Sequence, residues 1–228
     1  MPPILQFRLN PALFLRDPEG SELGRAILRH SVVQINALGL EDFTFKKLAS
    51  AAGTTEASIY RYFENKHQLL TYILAWWWTW LDYQAAYRTN NIKEPAERVR
   101  IVIGLLTLQE KEQPDTGHMD LCRLFELSLS ESSKAYLTCH VDEDSKQQLF
   151  KPYEDLCLRI AGMFREINKA YRHPRSLAST VLEMAHLLLY FRRHLPSLTD
   201  YAGAKNQKEV AAFLESMVFA TLGIRKEL

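Results

Sequence analysis

The side chains best suited to contact another molecule lie between residues 44 and 66, in the run TFKKLASAAGTTEASIYRYFENK. Apolar residues recur there at intervals of three and four, which is typical of helices, so the polar, aromatic and basic side chains face outward. Hydroxyl, phenol, guanidinium and ammonium groups on an exposed helix can hydrogen-bond base edges and phosphates in a DNA groove. The candidate DNA contacts are Thr44, Thr55, Glu56, Ala57, Ser58, Tyr60, Arg61, Tyr62 and Lys66.

Two short helices and a tight turn must position these residues. Thr44 is the predicted N-cap of the first helix and Thr55 that of the second, because a threonine hydroxyl can accept from a free amide of the first turn. Gly53 ends the first helix, since a residue just past a helix end often adopts a left-handed conformation that only glycine takes at almost no cost. Ala49 is small where the helices approach, and Ile59 supplies the apolar contact. This pattern predicts a helix-turn-helix.

A third helix is predicted to open at Glu64, Asn65 and Lys66. Amides at a helix N-terminus attract anions, so these amides and the Lys66 ammonium are predicted to bind a phosphate. The alternative interpretation of the whole run is an ordinary helical hairpin, in which a glycine merely separates two amphipathic segments.

The pattern resembles the tetracycline-repressor (TetR) family of bacterial transcriptional regulators. The resemblance spans about residues 23–70 and rests on Phe43, Thr44, Leu48, Ala49, Ala52, Gly53, Thr55, Ser58, Ile59, Tyr60, Tyr62, Phe63 and Lys66. It implies an all-α fold, with an N-terminal three-helix helix-turn-helix domain and a C-terminal helical ligand-binding and dimerisation domain. It also implies a homodimer on a palindromic operator, and a repressor is the commonest form.

By position in the motif, Glu56, Ala57 and Ser58 are expected at base edges, whereas Thr44, Thr55, Tyr60, Tyr62 and Lys66 are expected at phosphates. Glu56 departs from the uncharged or basic residues that suit this position. Phosphates repel an acid there unless it accepts from a cytosine amino group.

Composition bounds the class of protein. The chain has 228 residues and a net charge of +1, with 47% hydrophobic and 24% charged residues, as in an ordinary globular protein. The near-neutral charge counts mildly against DNA binding, which nevertheless depends on a local basic patch. The three cysteines are widely spaced, and neither a signal peptide nor a membrane-spanning run is evident, so a cytoplasmic protein with reduced thiols is expected.

Three segments are predicted: an arm over residues 1–20, a DNA-binding domain over 21–67 and a regulatory domain over 68–228. Four prolines interrupt the arm. Its apolar residues favour packing on the protein, although Arg8 and Arg16 leave open a DNA-reaching role. The next helix begins at Ser21 and is closed by Gly39.

The helix that begins near Lys66 has the most unusual composition, with apolar and aromatic residues on two adjacent stripes. Such a cluster can form the wall of a ligand pocket, because pockets for small molecules are mostly apolar. Core packing alone explains the stripes equally well. Trp78 lies off both stripes, so it is either exposed or in contact with something outside the local core. The predicted pocket residues are Trp76, Trp77, Trp80, Tyr83 and Phe125.

A loop is predicted at residues 113–117, and Pro174 is predicted to end a long helix that carries a stripe from Phe150 to Tyr171. Two C-terminal helices also carry double stripes. One stripe can serve the core and the other a partner, and the family resemblance implies that both helices pair with their symmetry mates in a four-helix bundle. The alternative is a single subunit that buries both stripes. The predicted dimer-interface residues are Val181, Met184, Leu188, Phe191, Phe213 and Met217.

The sequence contains few motifs that would indicate another function. We find no Ser-His-acid set, no nucleotide-binding loop and no metal-ligand spacing, so neither a metal nor a cofactor is predicted. Residues 130–145 are expected to be the least regular region, and the acidic residues there, near Cys139 and His140, are interpreted as a solvated connection. The rival hypothesis is an all-helical small-molecule-binding protein or enzyme that does not bind DNA, and a third is a family member that has lost DNA binding and mediates protein interactions.

Overall fold

The computed structural model describes residues 7–107, 119–201 and 208–224, which form α-helices, two short 3-10 helices and no strand. This confirms the all-α prediction. The α-helices are α1 (Glu22–Asp42), α2 (Phe45–Ala51), α3 (Glu56–Tyr60), α4 (Lys66–Thr89), α5 (Pro95–Leu106), α6 (Leu121–Glu131), α7 (Ser133–Tyr136), α8 (Val141–Lys146), α9 (Lys151–Ile167), α10 (Pro174–His194) and α11 (Lys208–Thr221).

Helix α1 begins where the sequence predicts. The Ser21 hydroxyl accepts from the amide of Gly24 at 3.1 Å, as an N-cap does. Gly39 adopts φ 74° and ψ 161° and interrupts the helix, after which one more turn runs to Asp42. Only glycine takes a positive φ at little cost, so the predicted closure at Gly39 is a break followed by a final turn.

The described part of the N-terminal arm packs on the protein, as its apolar residues predict. Pro11–Leu13 form a 3-10 helix, and Leu13 is fully buried. The amide of Leu15 donates to the carbonyl of Tyr62 at 2.8 Å. Phe7 meets Trp76 edge to face, with ring centroids 5.1 Å apart.

The chain divides into two compact units, and their boundaries differ from a simple N- and C-terminal split. The first unit comprises residues 7–79 and 119–152 among those described, and within it α6 packs on α1. The second comprises residues 80–107, 153–201 and 208–224, and within it α11 packs on both α10 and α5. Helix α4 contributes its first part to one unit and its last part to the other.

Two regions differ in detail from the predictions. Residues 130–145, expected to be irregular, contain α7 and α8, and α8 has three acids in its first turn that suit a helix N-terminus. Pro174 does not end a long helix but starts α10 at its first position, where proline loses no helical hydrogen bond. The predicted loop at residues 113–117 lies outside the described residues.

The described ranges lack two kinds of feature. None of the helices there combines the length and the apolar character that a membrane span requires. The same ranges hold no group of three or more His, Cys, Asp or Glu side chains placed to bind a metal ion.

Candidate DNA-binding surface

The turn between α2 and α3 has the geometry that its glycine predicts. Gly53 adopts φ 62°, and its amide donates to Ser50 O at 3.4 Å. The amide of Thr54 donates to Ala49 O at 2.9 Å. These two bonds form a Schellman motif, which satisfies carbonyls at the end of α2 and turns the chain sharply into the next helix.

Threonine hydroxyls cap both helices of the motif, as predicted. Thr44 Oγ1 accepts from the amide of Lys47 at 3.3 Å, and Thr55 Oγ1 accepts from the amide of Ser58 at 3.2 Å. The hydroxyls of Thr55 and Ser58 also lie 2.9 Å apart, so they share a hydrogen bond. The cap therefore fixes both the start of α3 and the position of the Ser58 side chain.

Helix α3 presents an outward face. Glu56, Ala57 and Arg61 are exposed and Ser58 is half-buried, whereas Ile59 is fully buried and holds the helix on the domain. The buried Ile59 holds α3 on the domain, and the Thr55 cap fixes its start. The residues predicted at base edges therefore lie together on one accessible surface.

Tyr60 joins the outward face to the first helix of the motif. Its ring meets Phe45 edge to face at 5.0 Å between centroids, and Tyr60 remains 48% exposed. Aromatic pairs of this geometry add to the stability of burial alone. The ring is thus held in place, and its surface is still accessible to a partner.

Tyr62 does not face outward, which corrects the prediction of a phosphate contact. It is 2% exposed, and its hydroxyl lies 2.8 Å from the hydroxyl of Ser21 at the start of α1. The Arg16 guanidinium lies over the ring, 5.2 Å from its centroid. Helix α3 ends at Tyr60, so Tyr62 no longer follows the helical face from which its orientation was inferred.

Lys66 is also placed differently. Its ammonium donates to the carbonyls of Leu40 at 2.8 Å, Glu41 at 3.0 Å and Phe43 at 3.5 Å. An ammonium group has three N–H donors, and here carbonyls at the end of α1 engage them. Lys66 therefore ties the start of α4 to the end of α1, and a phosphate would compete with these carbonyls for its ammonium.

The start of α4 keeps its predicted position. The side chain of Asn65 accepts from the amide of Gln68 at 2.8 Å, as an N-cap would. The amide of Glu64 donates to the side chain of Gln68 at 2.8 Å. These contacts use donors near the helix start within the chain itself.

The surface carries few available cations. Lys47 donates to the carbonyl of Asp42 at 2.7 Å, and Lys66 is engaged as described. Within the described ranges, the side chains of Lys46 and Arg61 form no hydrogen bond or ion pair, and both residues are exposed. A phosphate backbone would therefore meet mainly these two cations on each copy of the motif.

The tryptophans of α4 lie inside the protein. Every residue from 69 to 78 is buried, and Trp76, Trp77 and Trp80 are at most 1% exposed. Trp77 packs at a tilt on Phe125, with centroids 6.1 Å apart. Trp78 is 1% exposed as well, so of its two predicted alternatives the structure excludes exposure.

Two tyrosines of α4 have different surroundings. Tyr83 is 42% exposed and stacks on Tyr87 at 6.2 Å, so it lies on the surface and not among the buried rings. Tyr72 contacts Phe14 and Phe63 edge to face. Burial, aided by the carboxylates of Glu19 and Asp17, raises the pKa of Tyr72 far above its usual range.

The predicted dimer residues lie on two packed helices, α10 and α11, within the second unit. Phe213 is 42% exposed, and Met184, Leu188, Phe191 and Met217 are half-buried. Val181 is only 1% exposed, so its side chain belongs to the core of the subunit, and its prediction as a surface contact is corrected.

The helix-turn-helix segment matches a known protein family. Residues 27–73 match the model of the bacterial regulatory proteins of the tetR family. This match covers α2, α3, most of α1 and the first part of α4. No curated protein sequence is similar enough to count as a match.

Solved structures share the fold along most of the chain. The structure of AibR in complex with isovaleryl coenzyme A and operator DNA has a TM-score of 0.60 at 20% identity, over 87% of this chain and 98% of that chain. The fatty acid degradation regulator FadR from Bacillus halodurans has a TM-score of 0.65 at 15% identity, over 90% and 97%. PfmR, a TetR family transcriptional regulator from Thermus thermophilus, has a TM-score of 0.57 at 15% identity, over 85% and 97%.

Proposed function

We propose that this chain, whose residues 27–73 belong to the tetR family of bacterial regulatory proteins, is a homodimeric repressor of transcription. It binds a palindromic operator through two copies of α3 and is released when a small apolar molecule binds the helical domain. Release requires that the ligand prefer the form of the dimer that does not bind DNA.

The outward face of α3 carries this proposal. Glu56, Ala57 and Ser58 are accessible on a helix that Ile59 anchors and Thr55 caps. A helix presented in this way fits the major groove, where each base pair has its own pattern of donors and acceptors. Two such helices about 34–36 Å apart, or a little more, would read successive major grooves.

Selection of bound sequences from a random pool of double-stranded DNA, with the full-length protein, tests DNA recognition. We expect enrichment of a palindrome. In Ser58→Ala, the free-energy preference for one base at one position of each half-site should change by about 1–3 kcal/mol. Ser176→Ala, at an exposed serine of α10, is the matched control and should leave the preference unchanged. A pool without any enriched sequence would refute the regulator hypothesis.

A ligand site among the buried rings of α4 has separate support. Trp76 is fully buried, and its indole Nε1 has no hydrogen-bond partner among the described residues. A buried donor without a partner costs about 1–3 kcal/mol, which an acceptor atom of a ligand would offset. The complex of AibR with isovaleryl coenzyme A and operator DNA makes a ligand-responsive regulator a reasonable model for this chain.

Dimerisation is proposed through the apolar faces of α10 and α11. The exposed ring of Phe213 and the half-buried Met217 lie one turn apart on α11, and Leu187 is 46% exposed on α10. Two copies that cover these faces would remove apolar surface from water. Sedimentation should report a dimer, which Phe213→Asp converts to monomer and the control Leu198→Asp does not. A monomeric parent protein would contradict the proposal.

The rival hypothesis, that the protein is an enzyme, predicts that a molecule bound at the proposed tryptophan site is chemically changed. Purified regulator should return any bound molecule chemically unchanged. Detection of a product by mass spectrometry, after incubation with a molecule that raises the melting temperature, would favour the enzyme.

A further inference from the structure

A second cleft lies within the unit formed by residues 80–107, 153–201 and 208–224. Its volume is about 590 Å³, a size typical of small-molecule sites. It is lined by the last turns of α4, the connection to α5, the first part of α5 and the C-terminal half of α9. None of the four tryptophans lines this cleft, so it is distinct from the proposed apolar pocket.

Positive charge predominates among the lining residues. Lys93, Arg98 and Arg159 are cations, and Glu166 is the one anion among the described residues that line the cleft. Lys93 is exposed, and within the described ranges it forms no hydrogen bond or ion pair. Carboxylates pair with Arg98 and Arg159, so Lys93 is the lining cation whose charge is not balanced in this way, and it attracts an anion.

Each arginine is held in place by a carboxylate. Arg98 Nη1 donates to Glu166 Oε1 at 3.1 Å, and Arg98 Nη2 donates to Glu166 Oε2. Arg159 donates to Asp82 through Nε at 2.5 Å and Nη2 at 2.9 Å. Two-point pairing of this kind fixes the plane of a guanidinium group. A ligand would thus meet preoriented donors that need little further ordering.

Donor capacity remains after these pairs are made. Arg98 Nε is buried and has no hydrogen-bond partner among the described residues. Because an unpaired buried donor is unfavourable, an added acceptor near Arg98 gains more than it would at the surface. The Lys93 ammonium supplies further donors.

A glycine in the middle of a helix leaves room for the ligand. Gly162 lies within α9 and lines the cleft, and a Cβ atom added there would meet no atom within 4 Å. Glycine costs a helix interior roughly 1 kcal/mol relative to alanine, so the position is unfavourable for the helix alone. Leu158, 44% exposed, and the buried Met163 provide apolar surface beside it.

We propose that this cleft binds a small organic anion, whose carboxylate or phosphate group meets Arg98 and Lys93 and whose short apolar chain lies over Gly162, Leu158 and Met163. The two head groups share the chemistry that the cations recognise, and the limited volume excludes a large ligand. Binding here does not depend on DNA, so this inference stands apart from the proposed function.

Calorimetric titration of the full-length protein with hexanoate, hexyl phosphate and 1-hexanol tests the proposal. We expect one anion to bind per chain, with the neutral alcohol about tenfold weaker or worse because it lacks the charge-assisted bonds. The tighter of the two anions identifies the head group. Failure of both to bind at millimolar concentration, or equal binding of the alcohol, would overturn the proposal.

Substitutions locate the site. Gly162→Leu should fill the cleft and weaken anion binding at least about tenfold, a loss typical of a blocked contact. Gly104→Leu is its matched control, since Gly104 also lies within a helix and has open space beside it but does not line the cleft. Lys93→Gln, at an exposed position, should weaken binding several-fold without a change in melting temperature. Unaltered binding by both Gly162→Leu and Lys93→Gln would place the anion elsewhere and refute the inference.

Discussion

The helix-turn-helix of α2 and α3 and the tryptophan segment of α4 are adjacent in the chain but are stabilised in different ways. Short-range hydrogen bonds define the first, through Thr44, Gly53 and Thr55, and most of its outward side chains remain accessible. Burial defines the second, since no residue from 69 to 78 reaches the surface. A binding surface can thus rest on local capping while the helix next to it in the chain is held by burial of its side chains.

Because the two regions are stabilised differently, substitutions in them should have effects of different size. A change in a cap should cost about 1 kcal/mol and act mainly on the recognition surface. A change in a buried ring should cost several times more and act on the whole first unit. The following substitutions test that separation, from the largest expected effect to the smallest.

Trp76→Ala should lower the free energy of unfolding by about 3–5 kcal/mol, because it removes a fully buried ring and leaves a cavity. Tyr87→Ala, at a ring that is 71% exposed on the same helix, should change it by less than about 0.5 kcal/mol. Denaturant unfolding measures both. Equal losses for the two variants would break the contrast between burial and exposure along α4.

Lys66→Met should lower the free energy of unfolding by about 1–3 kcal/mol, because carbonyls at the end of α1 lose their donor. Lys46→Met should leave it within about 0.5 kcal/mol, since Lys46 is exposed. The salt dependence of DNA affinity should respond in the opposite order, with a slope reduced by about 0.9 per subunit only for Lys46→Met. A reduced slope with unchanged stability in Lys66→Met would restore the phosphate role of Lys66.

Gly53→Ala should destabilise the protein by about 1–2 kcal/mol, because a Cβ atom disfavours the left-handed conformation of the turn. A Cβ atom there meets nothing within 4 Å, so the cost is conformational and not steric. Gly104→Ala, within α5, should instead stabilise by about 0.5–1 kcal/mol. Melting curves give the sign of each change, and the same sign for both would refute the role of the turn.

Thr55→Ala should cost about 1 kcal/mol by removing the N-cap of α3, and it also frees the Ser58 hydroxyl from its partner. Thr180→Ala, at an exposed position within α10, should cause no loss. Operator affinity should fall for Thr55→Ala by more than its stability loss predicts, since Ser58 loses its fixed position. Identical operator affinity of Thr55→Ala and Thr180→Ala would show that the cap does not influence DNA recognition.

Local chemistry explains how much of the fold is predictable. Caps at Ser21, Thr44 and Thr55 and the positive φ of Gly53 act over a few residues, so residue type at fixed spacing predicts them. The same rules predict the start of α4. They fail at Pro174, because a proline that could end one helix equally well begins the next.

The positions and contacts of side chains at the candidate site are less predictable. The outward position expected for Tyr62 assumes that α3 continues, but the helix ends at Tyr60 and the ring turns inward to Ser21. The phosphate contact expected for Lys66 rests on its place at a helix start, yet carbonyls more than twenty residues earlier engage its ammonium. Neither partner has a signal in the local sequence.

What the sequence by itself determined is most of the long helices, the capped turn and the side chains that share most helical faces, because these follow from hydrogen bonds and periodicity within a few residues. Only the tertiary structure decided which polar groups remain available, since distant elements compete for the same donors. It also brought together Lys93, Arg98, Arg159 and Gly162 around one cleft, from segments that the chain separates widely. Their common position depends on how α4, α5 and α9 pack, and helical periodicity does not encode that arrangement.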